Sequence, residues 1–474
     1  MKPQINRLLL ATALIGTFFV GTAGRIFNIS MPTVARDLDT DLLGISWALL
    51  AFQLSSVGLS IIFGRVGDFW GREKIFALGF AVFSVTSLLC GLAHDLHQLV
   101  AFRLLEGVGA AMIQSSGRAL AAEAVPEAMA GRAQGFMTTA HHTGFLLGPV
   151  FGGFMIDFLS WRWAFFSLVP LSLAGAALTL PSLKKRQRPA GPRLAVDYVG
   201  ALLVFVVMAT LLLALDRRTL ALFGAGTKIL LGGGFAAALA GLIAHERRTP
   251  HPFIDLALFR RRRFSTAAVS LLIVATCYVL TSFVMPFYLQ DILGLAPSMI
   301  GVLFIVPAAL TVVLAPLSGW LADRFGPRFP TTIGIGFLAA GCLIGAFLRP
   351  DSHWFLPTLL IACHGVTNGI FNPANSADMI GALPKEHRGF ASSVNYVAFG
   401  LGNVLGIGLA GVTMSIAFSR YTGIAGAAPT AANPAAFAAA INATLLAGLA
   451  VSIVGILTSM TRGAKRKKIQ PIYD

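Results

Sequence analysis

The sequence predicts an all-α integral membrane protein of fourteen transmembrane helices grouped six, two and six, with both termini in the cytoplasm. Three observations lead there. Apolar segments of about twenty residues, the length that crosses a hydrocarbon core, recur from Leu8 to Met460. Lysine and arginine collect in alternate connecting segments, and the first part of the chain is echoed about 255 residues later. Of the 474 residues, 56% are hydrophobic and 12% charged, with a mean hydropathy of +0.77. A soluble fold has too little interior to hide that much apolar surface. The runs are continuous rather than alternating, so they read as helices and not as barrel strands.

In chain order, residues 1–181 hold six spans at 8–32, 44–63, 75–93, 99–122, 132–156 and 163–181. The first is too long for a signal-peptide apolar region, lacks a small-residue cleavage site and is followed by many more, so it is read as a helix that stays in the protein. Residues 182–263 hold the basic stretches KKRQRPAGPR and HERRTPHPFIDLALFRRRR around spans at 198–215 and 228–244. Residues 264–474 hold six more, at 264–290, 298–321, 330–348, 355–380, 388–416 and 438–460, and the basic tail RGAKRKK. With the N-terminus inside, the cytoplasmic segments carry 26 of the 36 Lys and Arg, the outer segments 7 and the spans 3. That asymmetry sets the orientation. The formal charge of +16 is therefore an orientation signal and a contact for anionic lipid, and nucleic acid is not an expected partner. Cys90, Cys277, Cys342 and Cys363 all fall in apolar runs without pairing or metal-ligand spacing and read as small core residues.

The echo is an internal repeat. GRVGDFWGREK from Gly64 answers GWLADRFGPRF from Gly319, matching Asp68 to Asp323 and Gly71 to Gly326 at an offset of 255. Farther on, Gly135 matches Gly389 and Gly148 matches Gly402 at 254, and Glu106 answers His364 at 258. Parallel repeats of this kind place a substrate site near the bilayer midplane between the halves, and rocking of one half on the other moves the cargo. In the cytoplasmic turn Gly64–Arg72 the glycines let two helix ends approach, and Asp68 can meet Arg72 and a neighbouring helix N-terminus, forming a conformational latch repeated at Asp323 and Gly326. Gly144, Gly148 and Gly152 clear one face of the fifth span, which is what close packing and a gating helix both need, and Pro149 and Gly153 complete the candidate gating helix.

These stretches, with RLLEGVGAA from Arg103 and WRWAFF from Trp161, resemble in order the signatures of the major facilitator superfamily. The added central pair, with VDYVGALL and HPFIDLALFRRRRFS, resembles the fourteen-helix drug:proton antiporter family. The resemblance implies the major facilitator fold, associates the glycine and proline run of the fifth span with export, and assigns Arg103 to proton coupling. Glu106 stands where that family usually has glutamine. In the first span Asn28 and Pro32 match the family, but Ala23 occupies its acid position and Arg25 its threonine position.

Arg25, Arg103, Glu106 and Arg118 lie inside spans, where a central charge costs about 2.5–3.5 kcal/mol on insertion scales, so each is expected to face an interior cavity. Arg103 and Glu106, three apart, can pair on one face. A carboxylate in a poorly solvated site suits a proton carrier, and His141 or His142 titrates in the same range. Three arginines against one glutamate leave two positive charges to draw an anion and repel a lipophilic cation. Arg25 snorkelling to the interface or pairing with Glu106 as a strut is the structural alternative. His364, Asn368, Asn372, Asn375, Asn395, Tyr396 and Asn403 add hydrogen-bonding groups, some of which serve to join helices.

There is no G-x-x-x-x-G-K-[ST] phosphate loop and no nucleophile or metal cluster in the sequence, so an enzyme or a directly ATP-driven pump is not expected. The expectation is a monomeric, proton-driven exporter of small amphipathic compounds in a bacterial inner membrane, without a cofactor. The alternatives are a proton-coupled transporter of one anionic metabolite, organic acid or siderophore-like product, and a receptor or scaffold that transports nothing.

Overall fold

A computed structural model describes residues 6–126, 129–183, 198–215, 225–249, 256–384, 388–424 and 427–462. All regular structure among them is helical. The first half contains α1 (Arg7–Asp37), α2 (Leu42–Trp70), α3 (Arg72–Gly91), α4 (Leu96–Glu123), α5 (Ala130–Phe158), α6 (Trp161–Phe166) and α7 (Leu168–Leu183). Then come α8 (Tyr198–Leu215) and α9 (Ala225–Arg248). The second half contains α10 (Arg262–Phe287), extended by one π turn to Ile292, α11 (Pro297–Leu303), α12 (Ile305–Phe325), α13 (Arg328–Gly345), α14 (Phe355–Gly381), α15 (Arg388–Thr422) and α16 (Pro434–Met460). Eleven described segments are long and apolar enough to cross a membrane, α6–α7 and α11–α12 each counting as one.

Local chemistry sets the boundaries. Asp41 and Asp95 accept from the backbone N–H groups of Gly44 and Gln98 at 2.7 and 2.8 Å, which caps α2 and α4. Two predicted single spans are broken instead, at Ser167 and at Phe304. The cause is proline: Pro170 and Pro307 have no N–H to offer the carbonyls of Phe166 and Leu303, where α6 and α11 end. Gly71 and Gly326 end α2 and α12 with φ of +99° and +84°, a left-handed turn that a side chain at either position would strain. The repeat is therefore visible in the backbone as well as in the sequence.

Each half packs its helices through glycine. A Cβ on Gly144, Gly148 or Gly152 would run into the backbone of α1 at Phe18, Thr22 or Ile26, so α5 lies directly on α1. Gly402 and Gly406 of α15 meet the Leu272 and Thr276 carbonyls of α10 in the same way, 254 residues on from Gly148 and Gly152. The pair α8–α9 stands outside this frame. Phe205 of α8 seats on Gly58 of α2, α8 also reaches α15, and α9 packs on α8. Large apolar side chains point outward along the bundle, including Ile229, Leu230, Val313 and Leu457, as helices surrounded by lipid require.

Candidate functional site

A cavity of about 720 Å³, counted out to its mouth, lies where the two halves meet. Its walls are Arg25, Asn28 and Ile29 of α1, Phe145 and Pro149 of α5, Tyr278 of α10, Phe304, Pro307, Ala308 and Thr311 around the α11–α12 break, Asn368 and Asn372 of α14, and Phe399 of α15. Phe145 and Phe399 occupy answering positions, 254 residues apart, so the repeat supplies one ring from each half. Asn372 donates to Asn368 Oδ1 at 2.8 Å, the expected meeting of side chains four apart on a helix.

Arg25 dominates the electrostatics. Its guanidinium lies 4.6 Å from the Phe145 ring centre and 4.9 Å from that of Tyr278, one ring from each half. Such cation–π contacts hold the plane of the group. The residue is 9% exposed, and no carboxylate lines the cavity among the described residues. The His141 ring lies 4.4 Å from that of Phe145, tilted by 45°, without reaching the lining itself.

The end of the bundle away from Arg7 and Met460 is closed across the halves. Gln290 donates to Thr33 Oγ1 at 2.7 Å, and the Ser298 N–H donates to Asp157 Oδ2 at 2.8 Å. Arg36 faces Asp291 at 3.9 Å. Backbone contact seals the same end: an ideal Cβ on Gly301 would stand 2.6 Å from the Pro149 carbonyl, and one on Gly153 would collide with the Pro297 carbonyl. Only glycine at these positions lets α5 and α11 meet.

Away from the cavity, two buried ion clusters hold the halves internally. Arg103 and Glu106 of α4 are both 0% exposed and pair at 2.6 Å, while Ser87 donates to Glu106 Oε1 at 2.5 Å and Arg103 Nε reaches the Ala48 carbonyl at 3.3 Å. The rings of Phe52, Phe27 and Phe165 cover the guanidinium, with centres 4.2, 4.7 and 5.8 Å away. In the second half Asp378 takes a hydrogen bond from Arg263 and lies 3.6 Å from Arg462, which also donates to Asn375. Burial pushes Arg462 down to about 10 against the opposing pull of Asp378, so it remains a cation at neutral pH.

The family model of the Major Facilitator Superfamily matches residues 13–407 and again 265–466. The chain belongs to that superfamily. Among its relatives, the riboflavin transporter RibZ of Clostridioides difficile is 27% identical over 402 residues, covering 83% of this chain and 86% of the relative. The tetracenomycin C resistance and export protein of Streptomyces glaucescens is 29% identical over 409 residues, covering 86% and 75%. A solved structure of a bacterial homologue of the human lysosomal transporter Spinster, inward-facing and unoccupied, matches 97% of this chain and 98% of its own at a TM-score of 0.67 and 16% identity. This facilitator is thus a multi-pass membrane transporter of small molecules, not an enzyme, and it resembles multidrug exporters.

The structure of this facilitator sorts the expected site residues by place. Arg25, Asn28, Asn368 and Asn372 converge on the cavity. Arg103, Glu106, Arg118 and His364 do not line it, which differs from the expectation that every intramembrane charge faces the cavity with two excess positive charges; among the described residues, one charged side chain, Arg25, lines it. The reason is pairing. A buried charge needs a partner, and the i, i+3 partner of Arg103 lets both residues sit inside one bundle. His364 is the mirror case, buried in the second half with Nδ1 3.0 Å from the Leu360 carbonyl and its ring 6.0 Å from Tyr278. Asn395 donates to Ser376, 3.3 Å away, joining α15 to α14. Asn375 and Asn403 are buried within the second half. Arg72 pairs with Glu123 of α4 at 2.6 Å, Asp323 is exposed, and the side chains of Asp68, His142 and Tyr396 lie outside the described residues. The aromatic lining is the part of the site outside the expected residues, and its signal in the sequence is the 254-residue match of Phe145 to Phe399.

Proposed function

We propose that this protein exports small amphipathic compounds from the bacterial cytoplasm across the inner membrane, driven by protons, by alternating access between two six-helix halves that meet at the Arg25 cavity. The chain is read as crossing fourteen times with both termini cytoplasmic, so the closed end is the outer one and the state is inward-facing. One observation carries the reading: a cavity walled by both halves lies beside an end that polar and backbone contacts close across them. Relatives named for exporting tetracenomycin C and for transporting riboflavin support a compact organic cargo.

Each group then has a role. Glu106 carries the proton and Arg103 releases it, which requires the 2.6 Å pair to part in the outward-facing state. His141, whose ring packs against Phe145, links that step to the cavity wall. The Gly144, Gly148 and Gly152 face of α5 is the surface that slides on α1, Pro149 and Gly153 form the contact of the gate with α11, and the Gly64–Arg72 turn with Asp323 and Gly326 latches the cytoplasmic end when that end closes. Purified protein in proteoliposomes with a trapped pH dye tests the proposal. Compounds from a panel of dyes, antibiotics and organic acids are expected to set off a proton flux that depends on the compound. Silence across the whole panel, with protein that is folded and correctly inserted, refutes it.

A further inference from the structure

The guanidinium of Arg25 has an aromatic ring of each half beside it, and what is left over is its N–H donors. Two rings cover the group, at 4.6 and 4.9 Å. No hydrogen bond or ion pair engages it among the described residues, although it carries five N–H donors. At 9% exposure it keeps little hydration, and the space it borders is the cavity. An unpaired, poorly solvated cation is costly until an anion meets it. A guanidinium is planar and presents its donors in that plane, the geometry that takes both oxygens of a carboxylate at once.

The rest of the wall fixes the remainder of the ligand. Phe304, Phe399 and Pro307 supply flat apolar surface, and the amides of Asn28, Asn368 and Asn372 supply uncharged hydrogen-bonding groups. Among the described residues the lining carries a single formal charge of +1 and no acid, which matches one negative charge and repels a cation. We infer that Arg25 is the anion-binding residue of the cavity and that the cargo class is a planar aromatic monoanion, its carboxylate or acidic enol on the Arg25 edge and its ring against the phenylalanines. Phe145 and Tyr278 are positioning residues that orient the guanidinium. The inference rests on the transporter reading and narrows it.

The test uses the full-length purified protein and three probes titrated by calorimetry: 2-naphthoate, the ring-matched cation trimethyl(naphthalen-2-ylmethyl)ammonium, and cyclohexanecarboxylate. Only 2-naphthoate combines both features and is expected to bind tightest. Arg25→Gln is expected to weaken it by about tenfold or more, the effect of losing a charged bidentate contact. Arg25→Lys keeps the charge without the fork and falls between. Tyr278→Leu leaves every charge in place and also weakens 2-naphthoate, because the guanidinium loses its orientation. Should the cation bind as well as the anion, or should Arg25→Lys and Tyr278→Leu both bind 2-naphthoate like the parent protein, the inference is overturned, whether or not Arg25→Gln folds. If 2-naphthoate fails while proteoliposomes couple another compound to protons, this inference falls and the transporter reading stands; silence from every compound removes the latter on its own.

Discussion

Gly301 is the position where a single methyl group interrogates alternating access. In the state described, a Cβ there would stand 2.6 Å from the Pro149 carbonyl and 3.2 Å from the Val150 Cα. Ordinary carbon–oxygen contact begins near 3.4 Å, so α5 and α11 must separate by several tenths of an ångström, and neither obstacle is a flexible side-chain end. Overpacking of this kind costs about 1–3 kcal/mol, which applied to one of two states shifts their ratio by about 5- to 150-fold. On the proposed alternating-access cycle these helices part in the outward-facing state and the methyl group fits. Gly301→Ala is therefore expected to move the population toward outward-open. Pulsed electron spin resonance on labels at Phe158 and Asp351, exposed positions near the closed end on opposite halves, reads that population directly, and all four native cysteines are buried, which limits stray labelling. Gly336→Ala, where a Cβ meets nothing within 4 Å, serves as the control and should leave the distances unchanged. A Gly301→Ala protein that melts like its parent and keeps the parent distance distribution would show that this contact is not part of a gate.

The remaining predictions concern charges. Glu106→Gln is expected to abolish substrate-dependent proton flux while ligand binding persists; full flux in proteoliposomes would make the Arg103–Glu106 pair a strut and nothing more. Arg103→Ala leaves Glu106 buried without its cation and should lower stability by about 3–5 kcal/mol, read as a drop in the melting midpoint of the detergent-solubilised protein. Arg72→Ala breaks a pair that is 27% and 19% exposed, so its cost should stay within about 1 kcal/mol, and an effect on the resonance distances larger than its effect on melting would mark a latch.

The fold was legible because hydrocarbon leaves the backbone few choices. Every N–H and C=O inside the bilayer must be paired within its own helix, so a run of about twenty apolar residues is already a helix. Boundaries were less so. The helix α2 continues to Trp70, through the polar turn that hydropathy assigns to a loop, and the breaks at Ser167 and Phe304 needed the i−4 rule applied to Pro170 and Pro307. The candidate site was half legible. The Arg103–Glu106 pair could be read from spacing, but spacing cannot distinguish the inside of one bundle from the space between two, since both are buried. Arg25 could be singled out as a cation without a nearby acid in sequence. Its clamp could not, because Phe145 is one of 36 phenylalanines and Tyr278 lies more than 250 residues away.

The cavity and the closed end share one stretch of helix. Along α5, Phe145 stacks on Arg25, Gly148 abuts Thr22 and the Arg25 Cβ, Pro149 both lines the cavity and meets Gly301, and Gly153 meets Pro297. These residues span little more than two turns, so a ligand that presses on Phe145 or Pro149 acts on the gate with no relay between distant sites. Such a ligand can bias the gate only through its different affinity for the two states. It follows that Gly301→Ala, by emptying the closed state, must change the apparent affinity of any cavity ligand that prefers that state, in proportion to the lost population. Calorimetry with 2-naphthoate on the Gly301→Ala protein makes the comparison: a shifted distance distribution beside an unshifted affinity would mean that the cavity and the gate, although they share α5, move independently.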